Sequence, residues 1–101
     1  MLFALSVVPV GSGDSMLEPV AEVIEEIARA GLAYQVNGMS TVIEGEWNDV
    51  MPVIRAAEER LRNAHGRVFM ILTIDDHPGA RDRLEESVAE VERVVGHAVP
   101  H

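Results

Sequence analysis

The segment AYQVNGMSTVI, residues 33–43, decides how this chain is expected to fold. β-branched and aromatic residues stand on both sides of Asn37-Gly38, and such residues favour strands. Asn-Gly is a strong signal for the turn of a β-hairpin. The segment therefore predicts two short antiparallel strands in the middle of the chain.

Helices and further strands flank this hairpin on both sides. Apolar residues spaced three and four apart predict three helices. We place them at residues 15–30, 48–64 and 81–95. Nearly continuous apolar runs rich in β-branched residues predict strands at residues 2–8 and 67–75. The order is β-α-β-β-α-β with an extra C-terminal helix, which is the ferredoxin-like order of the α+β class.

Length and composition limit the classes of function. A chain of 101 residues has room for one domain, so we expect a single domain over residues 1–101. Seventeen acidic and eight basic residues give a net charge of −9, which argues against a nucleic-acid partner. No apolar run is long enough to span a membrane, and the opening MLFALSVVPV lacks the basic residues of a signal peptide. We expect a cytoplasmic protein with no membrane partner.

Metal binding is not predicted. The chain has no cysteine, which excludes thiolate sites and disulfides. The run DDH, residues 75–77, has oxygen and nitrogen ligands, but neighbouring residues of a strand point to opposite faces. The loop GSGDS, residues 11–15, precedes a helix and could hold an anion there, although a flexible connection with a helix cap is the favoured interpretation.

Catalysis is also disfavoured. A nucleophilic enzyme needs an activated serine, cysteine or lysine. The chain has neither lysine nor cysteine, and no serine stands in a G-x-S-x-G context. Acid–base chemistry by Glu44 with Asp75 stays open, because a half-buried carboxylate can be tuned for it. We predict no catalytic residues.

The stretch STVIEGEW, residues 40–47, favours a binding pocket. Alternation along a strand places Glu44 on the same face as Val42, pointing either to water or into a pocket on the open face of the sheet. Trp47 either stacks on a flat ligand or staples the second helix to the sheet. With the hydroxyl groups of Ser40 and Thr41 nearby, the stretch predicts a pocket for a planar, nitrogen-containing ligand.

The first and last strands of the chain also predict self-association. The runs LFALSVV and VFMILTI are apolar at both odd and even positions, so we expect both faces of these strands to be buried from solvent. In this fold two helices cover one face of the sheet. The third helix covers part of the other face or all of it. We expect that it covers part, and that a second copy packs sheet to sheet on the rest.

Three motifs give the chain a family resemblance. In order and spacing, VVPVGSGDS, GMSTVIEGEW and TIDD resemble the small thiamine-binding proteins over essentially the whole chain. The resemblance implies a ferredoxin-like subunit that forms homodimers or homotetramers. It further implies binding of thiamine or its hydroxymethylpyrimidine moiety near the subunit interface, without catalysis and without a cofactor. The pocket positions it implies are Pro9, Val10, Gly11, Ser15, Asn37, Gly38, Met39, Ser40, Thr41, Glu44, Trp47 and Asp75.

Thiamine suits this chain chemically, and two alternatives stay open. Its cationic thiazolium ring fits an acidic protein, and its exocyclic amino group can donate to a carboxylate such as Glu44. The chain departs from the family after TIDD, where HPGARDR replaces a stretch rich in arginine and lysine. The alternatives are a small acid–base enzyme that uses Glu44 and Asp75 on a related heterocycle, and a purely structural or regulatory oligomerisation domain.

Overall fold

The computed structural model describes residues 1–9 and 17–101, and in these it contains four strands and three helices. In chain order they are β1 (Leu2–Pro9), α1 (Leu17–Arg29), β2 (Ala33–Val36), β3 (Thr41–Glu44), α2 (Trp47–His65), β4 (Val68–Asp75) and α3 (Arg83–Val95). The predicted α+β class and its ferredoxin-like order with an extra C-terminal helix are confirmed.

The four strands form one antiparallel sheet in the order β2-β3-β1-β4. β1 lies in the interior and pairs with β3 on one side and with β4 on the other. Its first residue, Leu2, lies opposite Glu44 of β3 and opposite Asp75 of β4. Because directly opposite residues share a face of the sheet, this register brings both carboxylates to the same face and the same end.

One face of the sheet carries the hydrophobic core. α1 and α2 cover this face with residues spaced three and four apart, so that one stripe of each helix is buried. The core consists of Phe3, Leu5, Val23, Ile27, Ile43, Val50, Ile54, Ala57 and Leu61. The other face, which carries Leu2, Glu44 and Asp75, is called the open face below.

The β2–β3 hairpin turns over four residues instead of two. Val36 pairs with Thr41, which leaves residues 37–40 as the loop. The Asn37 N–H donates to the Ser40 carbonyl at 2.8 Å and closes the loop. Gly38 has no left-handed φ, so the turn does not use the conformational freedom that makes Asn-Gly common in tight hairpins. The predicted hairpin is present, but its turn is wider than the dipeptide suggests.

The helix bounds follow the prediction closely, with one instructive difference. The first two residues of the predicted first helix, 15 and 16, lie outside the described residues. α3 begins at Arg83 and not at residue 81, because Asp82 adopts a left-handed backbone with φ 55°. Within the two described segments, no helix is long and apolar enough to cross a membrane.

The open face is only partly covered. Phe69 and Ile71 of β4 are 52% and 53% exposed there. α3 buries no residue fully, and Val91 and Val95 of its apolar stripe stay about half exposed. The third helix therefore does not cover the whole face within one subunit.

Candidate functional site

A cleft of about 280 Å³ opens between the β2–β3 hairpin, the second half of β1 and the start of α1. Its apolar wall comes from β1 and α1, and its polar wall comes from the hairpin loop. Among the described residues, Thr41 is the one polar side chain that is buried, and it lies in this cleft. The residues that line it are Leu5, Ser6, Val7, Val20, Val23, Val36, Asn37, Gly38, Met39, Ser40 and Thr41. Apolar walls with a few placed polar groups are typical of small-molecule sites.

A hydrogen bond ties the hairpin loop to the sheet. The Ser6 hydroxyl donates to the Met39 carbonyl at 2.9 Å. This bond joins β1 to a loop that lies 33 residues further along the chain. Together with the Asn37–Ser40 backbone bond, it fixes the polar wall of the cleft relative to its apolar wall.

The cleft brings together the central group of predicted site residues. Asn37, Gly38, Met39, Ser40 and Thr41 all line it. Val10, Gly11 and Ser15 lie outside the described residues. Pro9 is the last residue of β1, opposite Val68, and its side chain lies outside the described part of the chain.

Glu44 lies elsewhere and has partners of its own. Its Oε2 accepts a hydrogen bond from the Arg83 backbone N–H at 2.7 Å, and its Oε1 accepts one from the Leu84 N–H at 3.1 Å. The residue at the helix start, Asp82, makes no capping bond with its side chain. Glu44 therefore caps α3 from a distant strand and places a negative charge at the positive end of the helix. Its predicted role in ligand recognition stays a prediction.

Asp75 belongs to the same end of the open face. Arg83 Nη1 lies 3.1 Å from Asp75 Oδ2 and 3.3 Å from His77 Nδ1, so one guanidinium joins the end of β4 to the start of α3. Thr41 and Glu44 stand at opposite ends of β3, about 10 Å apart at ~3.3 Å per residue. The carboxylates are thus separate from the cleft. In residues 1–9 and 17–101 no three metal-ligating side chains come together.

Trp47 is the first residue of α2 and packs on the core. Its ring centroid lies 6.4 Å from that of Phe3, with an interplanar angle of 51°. About half of its surface remains exposed, beside a shallow surface groove that it forms with Asn48, Met51, Pro52 and Arg55. The contact with Phe3 is the staple between the second helix and the sheet that the sequence analysis left open as one interpretation of Trp47.

Sequence reasoning missed the apolar half of the cleft. These residues are Leu5, Ser6, Val7, Val20, Val23 and Val36. The valines and Leu5 follow the same periodicity as core residues, so nothing in the sequence marks them as lining a site. Ser6 gave the one usable signal, because it is a polar residue inside the apolar run LFALSVV.

Comparison with known proteins identifies the family. Residues 3–92 match the family model of the thiamine-binding proteins, and the chain belongs to that family. It is 39% identical over 94 residues to a UPF0045 protein of Mycobacterium bovis, which covers 92% of each chain. The predicted resemblance to the small thiamine-binding proteins is confirmed.

Two solved structures share the fold. A hypothetical protein of Methanocaldococcus jannaschii superposes with a TM-score of 0.82 at 26% identity, covering 89% of this chain and 93% of the other. A protein of Thermotoga maritima, described as a candidate for thiamine biosynthesis or salvage, gives a TM-score of 0.79 at 27% identity and covers 89% and 96%.

Proposed function

We propose that this protein binds thiamine, or its hydroxymethylpyrimidine moiety, in the hairpin cleft and catalyses no reaction on it. The observation that carries the proposal is a cleft with apolar walls and a polar hairpin in a member of the thiamine-binding family. Small-molecule sites measure about 300–1,000 Å³. At about 280 Å³ the cleft lies just below that range, which suits one aromatic ring better than a whole diphosphate ester.

The lining matches the chemistry of an aminopyrimidine. Its flat faces are apolar and pack against the side chains of Leu5 and Val23. Its edge has ring nitrogens that accept hydrogen bonds and an amino group that donates them. The Thr41 hydroxyl and the Asn37 amide can do both, and they occupy the polar wall.

The same lining supports binding without catalysis. No described residue of the cleft has a side chain that titrates, whereas acid–base catalysis needs such a group within hydrogen-bond reach. Glu44 and Asp75, which an enzyme would use, are bonded to the start of α3. No described lining residue is cationic either, which disfavours the diphosphate.

Self-association completes the proposal. Copies of the chain assemble as a homodimer or homotetramer by packing their open faces together. The half-exposed Phe69 and Ile71 support this, because they form an apolar surface that water would otherwise cover. Met39, on the rim of the cleft, is 90% exposed and offers a neighbouring subunit an apolar contact beside the ligand.

Calorimetric titration tests the binding proposal. Thiamine, hydroxymethylpyrimidine and thiamine diphosphate are titrated in parallel into the purified protein. We expect saturable binding of thiamine and of the pyrimidine at about one per subunit, and weaker binding of the diphosphate. Absence of heat with all three ligands contradicts the proposal.

A matched pair of threonine variants tests where the ligand lies. Thr41→Val keeps the shape of the side chain and removes a hydroxyl from the cleft. A lost hydrogen bond costs about 0.5–1.5 kcal/mol, so we expect affinity to fall by roughly two- to twelvefold. Thr73→Val makes the same change on the open face of β4 and should leave affinity unchanged.

The Glu44→Gln variant distinguishes a ligand site in the cleft from a ligand site at the other end of β3. It should leave affinity unchanged if the ligand lies in the cleft. Loss of binding in a folded Glu44→Gln variant would move the site to the end of the sheet where α3 begins.

A further inference from the structure

The side of β1 that faces β3 is unpaired where the strand passes the cleft. β1 is eight residues long, but β3 pairs only with its first four residues, Leu2 to Leu5. Continuing that register by two residues would place Val7 opposite Met39. Met39 belongs to the hairpin loop instead, and no hydrogen bond joins its backbone to that of Val7. At Val7, β1 therefore has β4 on one side and the cleft on the other.

The register determines which backbone groups point into the cleft. The Met1 carbonyl accepts a hydrogen bond from the Gly45 N–H at 3.1 Å, so Met1 points its backbone groups to the β3 side. In an antiparallel pair every second residue does so, and its N–H and C=O point the same way. The ladder with β4 is continuous, so nothing breaks this alternation along β1. Leu5 directs its two groups to Thr41, and Val7 directs its two groups to the cleft.

Both backbone groups of Val7 lack a partner. Within residues 1–9 and 17–101, no hydrogen bond reaches its N–H or its C=O from the β3 side. Val7 is half-buried, and buried backbone groups are nearly always paired in folded proteins. A donor and an acceptor of fixed direction therefore stand side by side in the wall of the cleft, where a ligand can pair with them.

Ser6 keeps these groups free. Its hydroxyl donates to the Met39 carbonyl at 2.9 Å, and this is the carbonyl that the register would otherwise set against the Val7 N–H. A side-chain bond thus replaces a bond of the ladder. It holds the hairpin loop on β1 without closing the loop over the backbone of Val7.

We propose that the N–H and C=O of Val7 recognise the amino edge of the pyrimidine, with Ser6 as the positioning residue. The inference rests on the proposed function, because it takes the pyrimidine as the ligand and names the groups that select it. On that edge a ring nitrogen accepts next to an amino group that donates. The ring nitrogen accepts from the Val7 N–H, and the amino group donates to the Val7 carbonyl.

Recognition by backbone groups gives the cleft a strict selectivity. The Thr41 hydroxyl can rotate and the Asn37 amide can turn over, so each can serve as donor or as acceptor. The N–H and C=O of Val7 cannot exchange roles. The cleft therefore selects heterocycles with an acceptor beside a donor and rejects those with the two in the opposite order.

Calorimetric titration with two ligands tests this selectivity. Hydroxymethylpyrimidine is compared with its 4-oxo analogue, which has an N–H and a carbonyl oxygen in place of the ring nitrogen and the amino group. Each contact with Val7 then sets donor against donor or acceptor against acceptor, so we expect affinity to fall at least roughly thirtyfold. Equal affinity for the two ligands overturns the assignment to Val7 and leaves the binding proposal intact. Absence of binding of both overturns the two proposals together.

Amide hydrogen exchange, followed by NMR, locates the contact. In the free protein the Val7 N–H should exchange faster than the Leu5 N–H, which points to Thr41. Hydroxymethylpyrimidine at 100 times its dissociation constant leaves about one molecule in 100 unliganded, so exchange at Val7 should slow roughly a hundredfold. Exchange at Val7 that is already as slow as at Leu5, or that does not change with ligand, overturns the contact.

A pair of serine variants tests the positioning residue. Ser6→Ala releases the Met39 carbonyl, which can then pair with the Val7 N–H. We expect slower exchange at Val7 in the free protein and a fall in pyrimidine affinity of roughly two- to twelvefold, because the ligand must now displace a hydrogen bond. Ser6→Thr keeps the hydroxyl and should behave as the wild type. Faster or unchanged exchange at Val7 in a folded Ser6→Ala protein overturns the role of Ser6, since loss of a merely structural bond would loosen the strand.

Discussion

Glu44 shows at the scale of a single residue how a polar group on a strand is used. The left-handed Asp82 makes no capping bond with its side chain, so the start of α3 lacks the local cap that most helices have. Glu44 supplies it from 39 residues away, with one oxygen for each of two backbone N–H groups. The carboxylate therefore holds α3 on the open face, which matters because this helix buries none of its residues fully.

Replacing Glu44 tests that role. Glu44→Gln removes the charge and weakens at least one of the two bonds, and loss of a cap costs about 1 kcal/mol. We expect a fall of that size in the free energy of unfolding, measured by urea denaturation. Amide exchange of Arg83 and Leu84 should quicken at the same time.

The control for this variant is Glu85→Gln. It removes the same charge from the first turn of α3 without touching the capping bonds. Equal losses of stability in both variants would mean that charge near the helix end matters and the two hydrogen bonds do not.

At the scale of elements, α1 and α2 are joined by a stripe of charges above the core. Arg60 of α2 lies 2.7 Å from Glu25 and 3.2 Å from Glu26 of α1. The hydrogen bond to Glu25 raises the pKa of Arg60. Nearby, His65 Nε2 lies 3.0 Å from Glu22 Oε2. These pairs link the two helices, while most of the stability comes from the apolar stripe beneath.

The junction of β3 and α2 depends on a close approach at Gly45. A Cβ atom placed there would lie 2.8 Å from Val50 Cγ2, and Val50 is fully buried. Gly45→Ala must therefore displace the first turn of α2 or a core side chain. We expect a loss of about 1–3 kcal/mol in the free energy of unfolding, measured by urea denaturation.

Gly38→Ala is the matched control for that change. A Cβ atom at Gly38 meets nothing within 4 Å, so stability should stay close to that of the wild type. A Gly45→Ala protein as stable as Gly38→Ala would show that the junction can relax around the extra methyl group.

At the scale of the whole molecule, the two ends of the sheet carry different structural features. The hairpin end forms the cleft, with walls from β1, α1 and the loop. The other end gathers Glu44, Asp75 and Arg83, which hold α3. The proposed ligand contacts the first end, and β3 joins that end to the second within the same sheet.

Ligand binding should therefore appear as stabilisation of the whole fold. A ligand that binds only the folded state at 100 times its dissociation constant stabilises it by about 2.7 kcal/mol. For a domain of this size, that corresponds to a rise of roughly 10–20 °C in the midpoint of thermal unfolding. Calorimetric scans with increasing thiamine measure it. A midpoint that does not move at saturating thiamine contradicts binding to the folded protein.

Local patterns determined much of this protein before any tertiary contact was known. The hairpin around Asn37, the helical periodicities and the apolar strands gave the α+β class and the order of the elements. The motifs gave the family. The family resemblance also names residues 37–41, and these line the polar half of the cleft together because a hairpin loop keeps sequence neighbours close in space.

Only the tertiary structure decided what Glu44, Asp75 and the apolar wall of the cleft contact. Glu44 meets the N–H groups of α3 because the sheet order places the end of β3 beneath that helix. Val23 reaches the cleft because α1 crosses the sheet next to the hairpin. Such contacts join residues that are far apart along the chain. Periodicity and spacing describe only neighbours, so they cannot distinguish a valine of the core from a valine of the site.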